Sequence, residues 1–259
     1  MYRIPPARLA STALALVLAA AAAGCKTTRS SDPTQAYAMA AAPRSDADWR
    51  RDAEAYGQRY RADQRDPEAV IRYAQALRAI GQRTQAAAVL EQASIHNPNN
   101  TALLGAYGRA LADNGNHAQA LEVLNRAHSP DQPDWRVLSV QGAVLDQLGR
   151  PEEARRYYES ALRIAPDEPS VLSNLGLSYA LSKDLVKAES TLRRAVDRPG
   201  ANPRARQNLA LVVGLQGRFE EAEKIARADL PPEEATANVA YLRKMLAERN
   251  TWKKLGKKG

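Results

Sequence analysis

The chain offers little that can do covalent or metal chemistry. In 259 residues there are three histidines, His96, His117 and His128, and one cysteine, Cys25. A structural zinc site needs Cys and His ligands paired a few residues apart, and a catalytic thiol needs a base and an orienting group. Neither set can be drawn. The acidic pairs Glu152-Glu153 and Glu220-Glu221 fall at expected helix starts, where carboxylates complement the helix dipole without doing acid–base work. A Gly-rich phosphate loop is absent from the sequence. No catalytic residue, metal or cofactor is therefore expected, and the chain reads as a non-enzyme.

The position of the one thiol has a different logic. Cys25 follows an apolar run, Leu9 to Ala23, that is preceded by Arg3 and Arg8 and ends in Ala22-Ala23-Gly24. The run is shorter than the ~20 residues that span a bilayer as a helix. A basic start, a short apolar stretch and small residues make a secretory signal. The junction resembles a bacterial lipobox, although Ala22 stands where Leu is usual. That resemblance implies cleavage after residue 24 and diacylglycerol on the Cys25 sulfur, an anchor worth ~0.8 kcal/mol per buried methylene. The alternative is ordinary cleavage near Ala23 with an idle thiol. Lys26 in place of Asp resembles outer-membrane sorting, so the expected location is the periplasmic face of the outer membrane, lipid-anchored. Residues 25–47 are rich in Ser, Thr, Ala and Pro and read as a tether with a root-mean-square reach of roughly 25 Å.

The elements that position everything else follow from a repeat. Gly108, Gly142 and Gly176 are 34 residues apart, and the register extends to Ala74 and Ala210. Alanines recur twelve residues later, at 86, 120, 154, 188 and 222, and glycines at 81, 115, 149 and 217, with Lys183 the exception. This pattern resembles the tetratricopeptide repeat: two antiparallel helices per 34 residues, with small side chains at close crossings. The resemblance implies an all-α, right-handed superhelical solenoid. Five repeats start at Pro67, Thr101, Trp135, Pro169 and Pro203. The expected organisation is a signal peptide at 1–24, the lipidated cysteine and tether at 25–47, an N-terminal capping helix at 48–66, repeats at 67–236, and a C-terminal capping helix with a basic tail at 237–259. In the C-terminal cap, Val239, Leu242, Met245 and Leu246 are expected on one stripe.

Tetratricopeptide arrays usually bind peptides along the concave face formed by the first helix of each pair. By that resemblance the inward positions include Arg78, Arg109, Asp113, Arg136, Asp146 and Gln147 in the first three repeats, and Leu177, Leu181, Leu211 and Leu215 in the last two. The leucines are expected to form an apolar patch unless the C-terminal cap covers them. Asn174 and Asn208 occupy matching positions and are candidate donors to a bound peptide backbone. The basic clamp of chaperone-type repeats is not visible.

The net charge is +8. Loss of Arg3 and Arg8 leaves +6, and the segment Arg243–Gly259 alone carries seven basic residues against Glu248. The basicity therefore lies in the tail. In an exported chain this points to acidic protein, anionic lipid or bare solvent, and no nucleic acid partner is expected.

The whole architecture, with the terminal stretch "ANVAYLRKMLAERNTWKKLGKKG", resembles the TadD family of tetratricopeptide lipoproteins of the tight-adherence (Flp) pilus. That resemblance implies a pilotin-like scaffold whose partners are the secretin or other pilus-assembly proteins. Two alternatives stand beside it. One is a scaffold lipoprotein of another envelope machine, such as a type IV pilus or outer-membrane protein assembly. The other is an accessory domain of an envelope hydrolase, for which no catalytic constellation is present.

Overall fold

The computed structural model of the chain describes residues 44–129 and 131–255. Cys25, the apolar run and nearly all of the tether lie outside the described residues. Within them are twelve helices and a single isolated β-bridge, Ser129–Gln132. Helix α1 spans Asp46–Ala62. Five antiparallel pairs follow: α2 Pro67–Ala79 with α3 Arg83–His96, α4 Thr101–Asp113 with α5 His117–Leu124, and α6 Trp135–Gln147 with α7 Pro151–Ile164. The last two are α8 Pro169–Leu181 with α9 Leu185–Val196, and α10 Pro203–Leu215 with α11 Phe219–Ala226. Helix α12, Pro232–Leu255, closes the array. Each helix packs on the next, and each first helix also touches the first helix of the following repeat. That two-step pattern is what makes a solenoid, and the expected all-α fold holds.

Local chemistry starts and stops each helix in register. Asp66, Asn100, Asp134, Glu168 and Asn202 each accept a hydrogen bond from a backbone N–H in the first turn of the following helix. They satisfy donors that have no partner within the helix. At the other end the chain reverses through a left-handed residue. Gly81, Gly115, Gly149 and Gly217 take φ of +73° to +86°, and Lys183 takes +65°. In all five turns the next N–H reaches back to a carbonyl five residues upstream, as Gln82 does to Leu77 and Asp184 to Tyr179. This is the Schellman closure, which favours glycine. Lys183 adopts it at a steric cost.

The small residues in the middle of the first helices mark close crossings. A methyl group placed on Gly108 would lie 2.4 Å from Leu124 Cγ, and one on Gly176 would lie 2.5 Å from Leu192 Cγ. The second helices of repeats two and five are short, eight residues each, and Pro130 and Pro231 follow their ends. Even so, Ala127 stays buried, as Ala93, Ala161 and Ala195 do at the same 34-residue spacing.

The two ends are covered differently. Ser45 and Asp48 form a capping box at α1, and Tyr60 of α1 stacks on Tyr73 with ring centroids 5.5 Å apart. Helix α12 begins at Pro232, ahead of the expected boundary at 237, because Pro232, Glu233 and Glu234 suit a helix N-terminus. Its inward stripe is Ala235, Val239 and Leu242, with Leu246 half-buried, while Met245 is exposed. The spacing of four, three and four follows one helical face, from which Met245 is rotated away. Leu242 seats against Gly214, where a methyl group would be 2.5 Å from its Cδ2.

Candidate partner-binding groove

The first helices of the repeats enclose a groove of about 820 Å³ that runs from Ile71 to Arg204. Its cations are Arg78, Arg109, Arg136 and Arg204, and its one acid is Asp134. Asp134 is committed to its helix, accepting the Arg136 N–H at 2.7 Å. Arg78 is paired across repeats with Asp113, Nε to Oδ2 at 2.6 Å. Among the described residues Arg109, Arg136 and Arg204 make no ion pair. Desolvation by the concave walls, together with the like charges of Arg78 and Arg136, lowers the Arg109 pKa against the opposing pull of Asp113 and Asp134. The Arg136 guanidinium lies 4.5 Å from the centre of the Trp135 ring. Ser170 and Asn174 continue the lining on α8.

The two asparagines expected to meet a ligand backbone are used within the array. Asn174 Nδ2 donates to Ser139 Oγ at 3.1 Å, and Asn208 Nδ2 donates to Ser173 Oγ at 3.0 Å. Each links its helix to the first helix of the preceding repeat. One N–H of each amide thus helps to hold the repeats in register, and Asn174 also lines the groove. Asp146 is likewise turned inward, accepting from Tyr158 Oη at 2.9 Å and from Ser178 Oγ at 2.8 Å. Burial raises the Asp146 pKa, outweighing these hydrogen bonds.

The four leucines lie outside the arginine groove. Leu181 is 62% exposed and Leu211 42% exposed, and Leu177 and Leu215 are half-buried. Helix α12 therefore leaves the two outer leucines uncovered. The structure thus brings Arg78, Arg109, Arg136 and Asn174 to one groove and leaves an aliphatic surface on α8 and α10. Arg204 was the contributor hardest to find by sequence. It occupies the same repeat position as Arg136, and that recurrence is the signal that marks it.

The histidines do not converge. His96 is exposed, and His128 pairs through Nε2 with the buried Gln141, whose amide in turn donates to Asn125. No group of acidic, His or Cys residues suited to a metal occurs among the described residues. None of the described helices is long and apolar enough to cross a membrane.

Residues 81–144 and 140–203 each match a tetratricopeptide-repeat family model. The sequence is similar to human tetratricopeptide repeat protein 7A, 34% identical over 86 residues that make up 33% of this chain and 10% of that one. It is also similar to a TPR repeat-containing protein of Dictyostelium discoideum, 32% identical over 108 residues, 38% of this chain and 40% of that one. The chain thus spans less than half the length of either curated relative. Among solved structures it resembles PilW, described as a widely conserved type IV pilus biogenesis factor, with a TM-score of 0.64, 18% identity, and coverage of 75% of this chain and 91% of that one. A thermophilic TPR protein of Thermus thermophilus follows at a TM-score of 0.60 and 24% identity, covering 68% and 98%. The fold is that of a tetratricopeptide-repeat solenoid. Residues 81–203, which supply most of the groove lining, match tetratricopeptide repeats.

Proposed function

We propose that the chain is a non-catalytic, lipid-anchored scaffold of an envelope pilus machine, and specifically of tight-adherence (Flp) pilus assembly. Its concave face holds a segment of the secretin or of another assembly component. Lipid on Cys25 keeps it at the periplasmic face of the outer membrane, where a pilotin-like protein assists a secretin to localise or assemble. The observation that carries the reading is the open 820 Å³ groove of the array, together with Leu181 and Leu211, which α12 leaves exposed. Exposed aliphatic side chains on a concave surface contribute nothing to repeat stacking and suit a partner segment. The Flp assignment draws on the terminal sequence and the lipobox-like junction.

A second reading, a scaffold of a type IV pilus, is favoured by the likeness of fold to PilW. Crosslinking pull-down from outer membranes, read by mass spectrometry, separates the two. Recovery of an Flp secretin with wild type, lost in a Leu181→Asp/Leu211→Asp variant that melts normally, is the expected result. Recovery of type IV pilus components selects the second reading, and equal capture by wild type and variant refutes docking at the leucines.

A further inference from the structure

The aliphatic end of the inner face explains an apolar partner segment, but it does not explain the arginines. Four guanidinium groups face one concavity whose lining holds one acid, Asp134; with Asp113 paired to Arg78, two carboxylates stand against four cations. Other cations of the array sit against carboxylates: Arg206 with Asp229, Arg193 and Arg218 with Glu189 and Glu221, Arg150 with Glu153. Outside the tail the mature sequence has no net charge. Arg109, Arg136 and Arg204 have no ion pair among the described residues, and all three are gathered in one groove. Like charges in a partly desolvated concavity repel one another and raise the potential there. An incoming carboxylate relieves that repulsion and gains charge-assisted hydrogen bonds, which guanidinium geometry favours.

We infer that the groove binds an acidic segment of a protein partner, its carboxylates meeting Arg109, Arg136 and Arg204. Arg78, already paired with Asp113, shapes the edge. The groove suits a peptide better than a nucleic acid. Its one aromatic, Trp135, already has a guanidinium stacked against it, so a free platform for bases is lacking. The inference rests on the reading that the concave face is the partner-binding face. It adds the chemistry of the partner: acidic side chains at the Arg109 end, apolar ones toward Leu181 and Leu211.

The test uses the full chain in detergent and a fluorescein-labelled ten-residue peptide alternating Glu and Ala, with its Gln counterpart as comparison. Fluorescence anisotropy is expected to show the Glu peptide binding at least about tenfold more tightly than the Gln peptide. The preference should weaken as salt is raised, since screening shortens to ~3 Å at 1 M. Arg109→Gln and Arg136→Gln should each weaken the Glu peptide severalfold, while Arg109→Lys, which keeps the charge, retains most of the binding. Equal binding of the two peptides overturns the inference. So does binding that survives both Gln variants but disappears when the chain is truncated after Asn250, which would place the anion on the tail. A single-stranded oligonucleotide that displaces the Glu peptide at lower concentration than the peptide itself overturns it as well. Partner capture from membranes separates the two proposals. Capture lost with Leu181→Asp/Leu211→Asp but intact with Arg109→Gln and Arg136→Gln refutes the charge inference and leaves docking standing. Arginine-dependent binding of the Glu peptide without any groove-dependent capture does the reverse.

Discussion

Replacing Gly142 by alanine adds one methyl group, and the structure gives it no room. The new Cβ would lie 2.6, 2.8 and 2.9 Å from Cε1, Cζ and Cδ1 of Tyr158. That ring is 1% exposed. Its hydroxyl is fixed on Asp146, which Ser178 of the next repeat also holds. Relief requires the ring to move by roughly an ångström, and such overpacking costs ~1–3 kcal/mol. The same movement pulls Tyr158 off Asp146, a hydrogen bond to a charged acceptor worth ~1.5–3 kcal/mol. Against this, alanine is about 1 kcal/mol better than glycine inside a helix. The net expectation is a loss of about 2–4 kcal/mol, or a midpoint lowered by roughly 5–15 °C for an array of this size. Gly105→Ala is the matched control: it carries the same propensity gain, and its Cβ meets Val137 Cγ2 at 3.3 Å and Ala127 Cβ at 4.0 Å, with no contact under 3 Å. It should stay within about 1 kcal/mol of wild type. Far-UV circular dichroism melts of both variants make the comparison. A Gly142→Ala protein as stable as Gly105→Ala would refute the close crossing and the repeat register built on it.

Lys183→Gly should stabilise the array by about 1 kcal/mol, because Lys183 holds a left-handed backbone that its four counterparts meet with glycine; denaturant titration measures it. Glu189 predicts an acid-labile joint between repeats four and five. Desolvation pushes its pKa up, but hydrogen bonds from Arg218, Gln216 and Arg193 outweigh this and hold it at about 2, below the ordinary 4.5. A depressed carboxylate contributes stability in full above the unfolded value and loses it as pH falls from about 4.5 toward 2; urea melts across that range should show a steeper decline for wild type than for Glu189→Gln. Cys25→Ser should abolish incorporation of a palmitate analogue and release the protein from outer-membrane fractions; equal labelling of the two proteins would remove the lipid anchor from the account.

The fold was legible because five stretches repeat one pattern. Each stretch alone is weak, but agreement in register at glycine and alanine positions leaves few alternatives to close helix pairs. The column of N-caps was equally present at 66, 100, 134, 168 and 202, yet it varies among Asp, Asn and Glu, so identity does not mark it and only function does. The groove was legible only in part. Repeat arithmetic put Arg78, Arg109 and Arg136 on the inner face without showing which of them keeps a free charge, since the Arg78–Asp113 pair joins residues 35 apart on adjacent helices. The same 35-residue offset hid the bonds that Asn174 and Asn208 make to serines one repeat upstream. Periodicity places a side chain on a face. The superhelical stagger decides what it touches there, and that stagger is a property of the assembled array.

The central claim is that the inner face of the array holds a pilus-assembly protein. A photocrosslinking amino acid placed at Leu211, an exposed side chain that the repeat register assigns to the inner face, and separately at Ile95, an exposed side chain on the second helix of the first repeat, tests it in living cells. The account predicts a discrete crosslink from position 211 to the secretin or another assembly component, which disappears when Leu181→Asp is added, and none from position 95. Crosslinks to that partner from position 95 but not 211, or none from 211 in cells that assemble pili, would contradict it.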